Sequence, residues 1–227
     1  MIPSLLLLLL RRFQKKYPEK AALLFSKCRA AARIALLLLI SVCIALDAFA
    51  QERILHYAIV RSGNAIGTLT VKEHRQDKRV TYNLQSAIKT SFLFTLTGRI
   101  LEEAVYENGI LTYSRFYQKL NNNERVNSKI QADGKNYTVS TTTEATTLNK
   151  YPITYNMVCL YSVEPLHRTT IFVDKYRQFI PIETIRPHHY KIKFPDGNYN
   201  EYFYKSGICV KVSVYSTWFS AEMQLKN

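Results

Sequence analysis

The sequence has few of the residues that build common catalytic and cofactor sites. It contains four cysteines, seven glycines and five histidines among 227 residues. A glycine-rich loop that could cradle a phosphate is absent, and so is the Gly-x-Ser-x-Gly turn that presents a nucleophilic serine. The residues therefore give no sign of nucleotide hydrolysis or of serine-dependent acyl transfer.

Two of the four cysteines lie within the first 50 residues, which leaves Cys159 and Cys209 in the rest of the chain. Cys159 stands between Val158 and Leu160 and is expected to be a small buried apolar residue rather than a nucleophile. The alternation of apolar residues around Cys209 predicts that it shares a strand face with Lys211. One disulfide is compatible with an oxidising compartment, and the sequence leaves both the paired and the free state open.

Histidines and carboxylates do not occur in the sequence at the spacing that a metal site or a catalytic pair requires. His188 and His189 form a cluster, but neighbouring residues of a strand point to opposite faces. With no further ligand at suitable spacing nearby, surface histidines are expected and no metal is predicted. Glu102 and Glu103 should also face opposite sides, and Asp196 is expected to serve a turn. The sequence thus predicts no cofactor and identifies no catalytic residue.

An export signal is the strongest functional feature. Residues 34–46 form an uncharged apolar run after a basic stretch, and Ala48-Phe49-Ala50 has the small-x-small pattern that signal peptidase reads. We therefore predict a helical leader over residues 1–50, cleavage between Ala50 and Gln51, and a mature domain over residues 51–227. The expected location is the periplasm or the extracellular medium.

Two alternatives to cleavage remain open. The apolar run of 13 residues, extended by its flanks, could stay in the membrane as an anchor, although a spanning helix needs about 20 apolar residues. Lipidation at Cys43 is disfavoured because Val42, directly before it, is not small and the apolar run continues beyond it. The membrane is accordingly expected as a partner only through an uncleaved leader.

The chain is basic, with a net charge of +14 from 31 basic and 17 acidic residues. Eight of the basic and two of the acidic residues lie in residues 1–50, so the mature part has a surplus of eight positive charges. The charges are scattered rather than grouped in blocks, which is typical of a soluble surface. Nucleic acid is not expected as a partner, and the mature chain is expected to be a monomer.

The placement of glycine predicts hairpins. Five of the seven glycines sit in turn dipeptides, which are Ser62-Gly63, Asn108-Gly109, Asp133-Gly134, Asp196-Gly197 and Ser206-Gly207. Between them apolar and polar residues alternate, as along Val80, Tyr82 and Leu84, with the period of a half-buried strand. We predict strands near residues 53–61, 65–74, 79–89, 98–107, 110–119, 124–132, 135–142, 168–174, 178–194, 199–205, 208–216 and 218–225.

The predicted fold is all-β, a single strongly curled antiparallel sheet or partly closed β-barrel with mostly meander connections. Short turns permit antiparallel pairs only, and a sheet with this many strands must curl, split or close to protect its edges. A break is expected near Pro181 or Pro187 in the long strand region. A loop with one or two helical turns is expected over residues 144–167.

A set of turn and core residues carries a family resemblance. It comprises Tyr57, Ile59, Gly63, Ile66, Gly67 and Leu69, then Asn156-Met157, Leu160-Tyr161 and Glu164-Pro165, then Asp196-Gly197-Asn198, Tyr202, Tyr204 and Gly207. In these positions, across about residues 53–225, the chain resembles an uncharacterised family of exported β proteins of Gram-negative bacteria. The resemblance implies a curved antiparallel sheet or partly closed barrel. It implies no activity and no catalytic residues.

The expected function is that of a non-catalytic envelope protein that binds an apolar or amphipathic ligand, such as a lipid. A curled sheet with an aromatic-rich apolar face could hold the apolar chains of such a ligand, while the surplus of Lys and Arg could meet anionic head groups. The stretch 113–119 interleaves aromatic and basic residues and could stack on a ligand, although tyrosine also simply fills half-buried strand positions. The alternatives are a hydrolase acting on cell-envelope material and a scaffold that binds a partner by strand addition.

Overall fold

A computed structural model describes residues 51–91, 95–149, 151–217 and 220–226 of the chain. The predicted leader helix, with Ala48 and Ala50, lies outside these residues. The described part is all-β, with one short 3₁₀ helix at Met157–Tyr161. Over these ranges no helix is long and apolar enough to cross a membrane.

Fifteen strands are described, and thirteen of them form one antiparallel sheet. The strands are β1 (Gln51–Arg61), β2 (Asn64–Gln76), β3 (Arg79–Ser91), β4 (Thr95–Glu107), β5 (Ile110–Leu120), β6 (Asn123–Asp133), β7 (Asn136–Thr141), β8 (Ala145–Leu148), β9 (Thr170–Val173), β10 (Gln178–Pro181), β11 (Glu183–Arg186), β12 (His189–Lys193), β13 (Tyr199–Lys205), β14 (Ile208–Tyr215) and β15 (Ser220–Leu225). In space the order is β11-β12-β13-β14-β15-β1-β2-β3-β4-β5-β6-β7-β8, and β9 pairs with β10 alone. Two meanders are thus joined where β15 pairs with β1, which confirms the predicted all-β meander.

The strand positions agree closely with those predicted, with one omission. The long region after residue 178 breaks at both proline positions, after Pro181 and at Pro187. The 3₁₀ helix lies inside the segment predicted as a loop with helical turns. β8 was not predicted, because Ala145, Thr146 and Thr147 are all exposed and leave no alternation to detect.

Paired residues with positive φ form three of the predicted hairpin turns. The φ angles are +50° and +81° at Ser62-Gly63, +52° and +78° at Asn108-Gly109, and +52° and +78° at Ser206-Gly207. Positive φ at both central residues is the geometry of a type I′ turn, whose twist matches that of the strands it joins. These dipeptides therefore set the register of the hairpins that they connect.

Each of these three hairpins has a β-bulge at the same distance beyond its glycine. The extra residue is Ile66 in β2, Thr112 in β5 and Val210 in β14. In β14 the bulge shifts the alternation, so that Cys209 shares the buried face with Val212 instead of the outer face with Lys211. The predicted position of Cys209 beside Lys211 is therefore wrong.

The sheet is open, and the prediction of a strongly curled or partly closed sheet is wrong. Its edge strands β8 and β11 do not pair with each other in the described structure. The apolar face is instead covered by residues 151–182, here called the covering segment, which buries Ile153, Leu160 and Phe172 completely. A sheet whose apolar face is covered by another layer does not need to close on itself.

Tyrosine hydroxyls join the covering segment to the sheet. The hydroxyl of Tyr137 accepts a hydrogen bond from the Ile153 N–H at 3.0 Å, and the hydroxyl of Tyr204 donates to the Leu160 carbonyl at 2.7 Å. Tyr137 is fully buried and Tyr204 nearly so, deeper than the half-buried positions expected from the sequence. Burial at this depth is tolerated because each hydroxyl has a backbone partner.

Candidate functional site

A cavity of about 250 Å³ lies between the inner face of the sheet and the covering segment. Its walls are mainly apolar and come from both meanders and from the covering segment. The apolar lining includes Leu69, Leu84, Ile100, Phe116, Met157, Tyr161, Val173, Tyr202, Val214 and Met223, and the polar lining includes Ser86, Glu102, Gln118, Asn198 and Asn200. An apolar cavity with a few polar groups is the usual composition of a small-molecule site.

Glu102 is a buried acidic side chain on the cavity wall. It lies on β4 between Leu84 of β3 and Phe116 of β5, and only 8% of its surface is exposed. In the part of the chain that the structure describes, its carboxyl group forms no hydrogen bond or ion pair. Buried carboxyl groups are normally paired. An unpartnered one that faces a cavity therefore indicates that this wall could bind a ligand.

A second buried carboxyl group, Asp174, lies beside Glu102 at the end of β9. It accepts hydrogen bonds from the Ser114 hydroxyl at 2.5 Å and from the Asn156 side-chain N–H at 2.9 Å. The Asn156 side-chain oxygen Oδ1 in turn accepts a hydrogen bond from the Tyr106 hydroxyl at 2.8 Å. Both oxygens of Asp174 therefore have donors, and the network fixes the covering segment against β4 and β5.

Burial and mutual repulsion change the ionisation of this pair. Burial, assisted by the charge of Asp174, raises the pKa of Glu102 to about 8. Burial also raises the pKa of Asp174, but the hydrogen bonds from Ser114 and Asn156 oppose that rise. Because these hydrogen bonds favour the charged form of Asp174, Asp174 ionises before Glu102, and Glu102 keeps its proton near neutral pH.

Two tyrosines line the cavity near Glu102. The rings of Tyr161 and Tyr202 meet edge to face with centroids 6.5 Å apart. The Tyr161 hydroxyl donates only to the Met223 sulfur, at 3.4 Å, and the Tyr202 hydroxyl accepts from the Asn200 side chain at 3.2 Å. Burial raises the pKa of both hydroxyls, and the charge of Glu102 contributes to the rise. Because thioether sulfur is a weak acceptor, the Tyr161 hydroxyl is available to a ligand.

Residues 57–226 match the family described as a domain of unknown function, DUF6134. The chain belongs to this family. The crystal structure of a β-barrel-like protein of the domain of unknown function DUF1849 from Brucella abortus is similar to the DUF6134 chain, with a TM-score of 0.51 and 11% sequence identity. The alignment covers 78% of this chain and 96% of that chain, and at this identity it shows a shared fold alone. A comparison with curated protein sequences finds no match.

The more exposed part of the cavity lining in the DUF6134 domain, here called its mouth, includes a charged pair. Lys175 Nζ lies 3.5 Å from Asp196 Oδ2 and 4.7 Å from the centre of the Tyr176 ring. The Tyr176 hydroxyl also donates a hydrogen bond to Asp196. Asp196 occupies the turn predicted for it, between β12 and β13, and it also lines the entrance.

Other residues singled out from the sequence are dispersed over the DUF6134 domain. His188 Nδ1 lies 3.0 Å from Glu164, whereas His189 Nε2 lies 3.2 Å from Glu201. The described residues contain no group of three side chains placed to bind a metal ion. Glu103 lies on the opposite side of β4 from Glu102, as predicted, at the strand position in register with Arg115 of β5. From the stretch 113–119, Phe116 and Gln118 line the cavity.

Both cysteines of the DUF6134 domain are buried free thiols. The Cys159 thiol lies 3.3 Å from the Asn156 side-chain oxygen, within the network around Asp174, and the Cys209 thiol lies 3.4 Å from the Lys211 carbonyl. Burial raises the pKa of each thiol to about 12. Neither thiol is therefore a nucleophile near neutral pH, and the expectation that Cys159 is a small buried residue is confirmed.

Asp174 was not found by sequence reasoning. It is followed in sequence by Lys175 and Tyr176 in a turn between two short strands, and nothing in that pattern distinguishes it from an exposed turn residue. Its partner Ser114 is 60 residues away. The pair with Glu102 arises only when the covering segment folds over β4 and β5, so no local signal exists.

Proposed function

We propose that the domain binds a small amphipathic ligand in the cavity between the sheet and the covering segment. The observation that carries this proposal is the apolar cavity itself, with one unpartnered carboxyl group on its wall. Its volume of about 250 Å³ lies below the range of roughly 300–1,000 Å³ that is typical of sites for drug-sized molecules. A ligand smaller than a membrane phospholipid fits this volume best.

The hydrogen bonds of the carboxyl groups in and beside the cavity favour a binding function over a hydrolase. General acid and base catalysis needs two groups that converge on one substrate. Asp174 does not line the cavity, and both of its oxygens are occupied by Ser114 and Asn156. Asp196 also lines the cavity, but its carboxyl group is engaged by Lys175 and Tyr176. Among the described residues of the lining, Glu102 therefore has no second free carboxyl group beside it, and a hydrogen-bonding role for it follows.

We propose further that the domain acts outside the cytoplasm, in the periplasm or as a secreted protein. The basic stretch, the apolar run and the small residues Ala48 and Ala50 support export.

A substitution that fills the cavity tests the proposal that a ligand binds there. Ser86 is 7% exposed and lines the cavity from β3, so Ser86→Phe places a ring inside it, whereas Gln85→Phe places the same ring on the exposed face of the same strand. Titration of the purified protein with 1-hexanol, hexylamine and hexanoate, followed by ¹⁵N–¹H NMR, should show binding of at least one compound with shifts at cavity residues. Ser86→Phe should weaken that binding by about tenfold or more, which corresponds to about 1.4 kcal/mol.

Gln85→Phe serves as the matched control and should leave the binding unchanged. If none of the three six-carbon compounds binds, and native mass spectrometry of the purified protein finds no bound small molecule, the cavity is not a ligand site. Equal binding by the two phenylalanine variants would place the ligand elsewhere on the domain.

A further inference from the structure

The acid pair at the cavity has no positive partner. No Lys or Arg of the described residues forms an ion pair with Glu102 or Asp174. Glu73, which is equally buried, shows the contrast, because it pairs with Arg75 and lies 3.7 Å from Arg53. A buried negative charge without a counter-ion is costly, so the cavity wall attracts a cation.

The other walls next to Glu102 suit a cation with an apolar body. Aromatic rings of Phe116, Tyr161 and Tyr202 surround this part of the cavity, and the faces of such rings attract ammonium groups. Lys175, the basic residue of the lining, is at the mouth and is held there by Asp196. The inner end of the cavity therefore has negative and aromatic groups and no positive side chain among the described residues.

We infer that the ligand is an amphipathic amine, whose ammonium group binds to Glu102 among the rings of Tyr161 and Tyr202 while its apolar part fills the cavity. This inference rests on the proposed function and names the chemical class of the ligand. A carboxylate or phosphate end would be repelled by Asp174. A neutral hydroxyl end would leave the charge of the pair without a partner.

Binding of an amine is coupled to release of a proton. Below the Glu102 pKa of about 8 the free site holds a neutral carboxyl group, and the bound site holds a carboxylate beside an ammonium ion. The proton of Glu102 passes to the solvent, and the amine keeps its own. Affinity should consequently rise by up to about tenfold for each pH unit from about pH 6 to about pH 8 and then level off.

The groups that face Glu102 do not produce the same pH dependence. Asp174 ionises before Glu102, and the pKa values of Tyr161 and Tyr202 are raised by burial, away from this range. Lys175 and Asp196 form an ion pair with each other, and the pKa of Asp196, which burial alone would raise, is lowered overall by hydrogen bonds from Tyr176 and Asn198 and by Lys175, away from this range. Leu84 and Phe116, the neighbours of Glu102 on the adjacent strands, do not ionise.

Isothermal titration calorimetry with hexylamine, 1-hexanol and hexanoate tests the inference, since the three share one chain length and differ at the polar end. Hexylamine should bind about tenfold more tightly than either of the others near pH 8. Titrations near pH 7 in two buffers of different ionisation enthalpy should show release of close to one proton per bound amine. Glu102→Gln should abolish the proton release and reduce the preference for the amine to the part that the charge of Asp174 sustains, and Glu103→Gln, on the opposite face of β4, should retain both in full.

The outcomes separate this inference from the proposed function. Binding of hexanol or hexanoate as tight as that of hexylamine overturns the amine assignment but leaves the cavity as a ligand site. A preference for hexylamine that is undiminished in Glu102→Gln overturns the role of Glu102. Absence of binding by all three compounds, together with absence of a bound small molecule in native mass spectrometry, overturns the proposed function as well.

Discussion

At the scale of single residues, Glu102 and Glu103 show how position on a strand decides what a carboxyl group does. The two are adjacent in β4, but Glu102 faces the cavity and Glu103 faces the outer side opposite Arg115. Glu102 is largely shielded from bulk water, and its pKa is raised, by burial first and by Asp174 second. A buried carboxyl group without a partner lowers the free energy of unfolding, and such destabilising groups are common among residues that bind ligands.

We predict that Glu102 makes the stability of the domain fall as pH rises. In the unfolded chain the Glu102 carboxyl ionises near its ordinary pKa of 4.5, whereas in the folded domain it keeps its proton until about pH 8. Between these values the folded state binds more protons than the unfolded state, so the free energy of unfolding decreases with pH by at most about 1.4 kcal/mol per unit. Glu102→Gln removes this component because the amide does not ionise.

Urea unfolding at about pH 5, 6.5 and 8 measures the effect. The Glu102→Gln variant should be similar to the unmodified protein near pH 5 and more stable than it near pH 8, while Glu103→Gln should follow the unmodified protein throughout. A stability difference between Glu102→Gln and the unmodified protein that is the same at all three pH values would contradict the assigned ionisation.

At the scale of elements, two glycines that are not in turns fix the spacing of three strands. Gly67 of β2 and Gly98 of β4 both lie opposite Ile88 of the intervening β3. A Cβ atom at Gly67 would lie 2.2 Å from the Ala87 carbonyl oxygen, and one at Gly98 would lie 2.9 Å from the Ile88 side chain. The first contact is with backbone that cannot move without opening the β2–β3 pair, and the second is with a side chain that can rotate.

Gly67→Ala should accordingly be more destabilising than Gly98→Ala. We expect Gly67→Ala to lower the free energy of unfolding by about 3 kcal/mol, at the upper end of the usual cost of overpacking, and Gly98→Ala to lower it by less than half as much. Urea unfolding of both variants measures the difference. Equal losses in the two variants would show that the β2–β3 backbone adjusts to the methyl group added at Gly67 as easily as the Ile88 side chain adjusts to the one added at Gly98.

The contrast between these glycines shows what the sequence can predict about elements. Turn glycines such as Gly109 and Gly207 are recognisable, because Asn-Gly and Ser-Gly between alternating residues indicate hairpins. Bulges are not recognisable in this way, and the bulge at Val210 reversed the face predicted for Cys209. Local patterns therefore predict which residues form strands, while register and face depend on pairing between strands.

At the scale of the whole molecule, the covering segment decides both the shape of the sheet and the site. Alternation predicted the antiparallel sheet, but it could not show that residues 151–182 would supply the second layer and leave the sheet open. The same packing places Asp174 beside Glu102 and leaves the cavity between the layers. The site is thus a product of long-range packing. Strand alternation predicts which strand residues face the cavity, but it cannot predict the Glu102–Asp174 pair, which forms only when the covering segment packs on the sheet.

The open sheet also exposes two edges, which the molecule manages differently. All four residues of edge strand β11 are exposed, with Glu183 and Arg186 at its ends. Charged side chains on an edge oppose the addition of another strand. β8, at the other edge, has only four residues, too short to offer a long template for pairing. Both features favour the expected monomer over a scaffold that works by strand addition.

The leader features of residues 1–50 give the last prediction, that the exported protein begins at Gln51. Ala48 and Ala50 supply the small-x-small pattern that signal peptidase reads, directly after the apolar run of residues 34–46. Cleavage after Ala50 would therefore remove the predicted leader. N-terminal sequencing of protein recovered from outside the cytoplasm of an expressing Gram-negative host should read Gln51-Glu52-Arg53. Replacing Ala48 and Ala50 by Gln should block cleavage, and the same replacement at Ala31 and Ala32, ahead of the apolar run, should not. Recovery of the intact chain in the membrane fraction would instead establish the retained anchor.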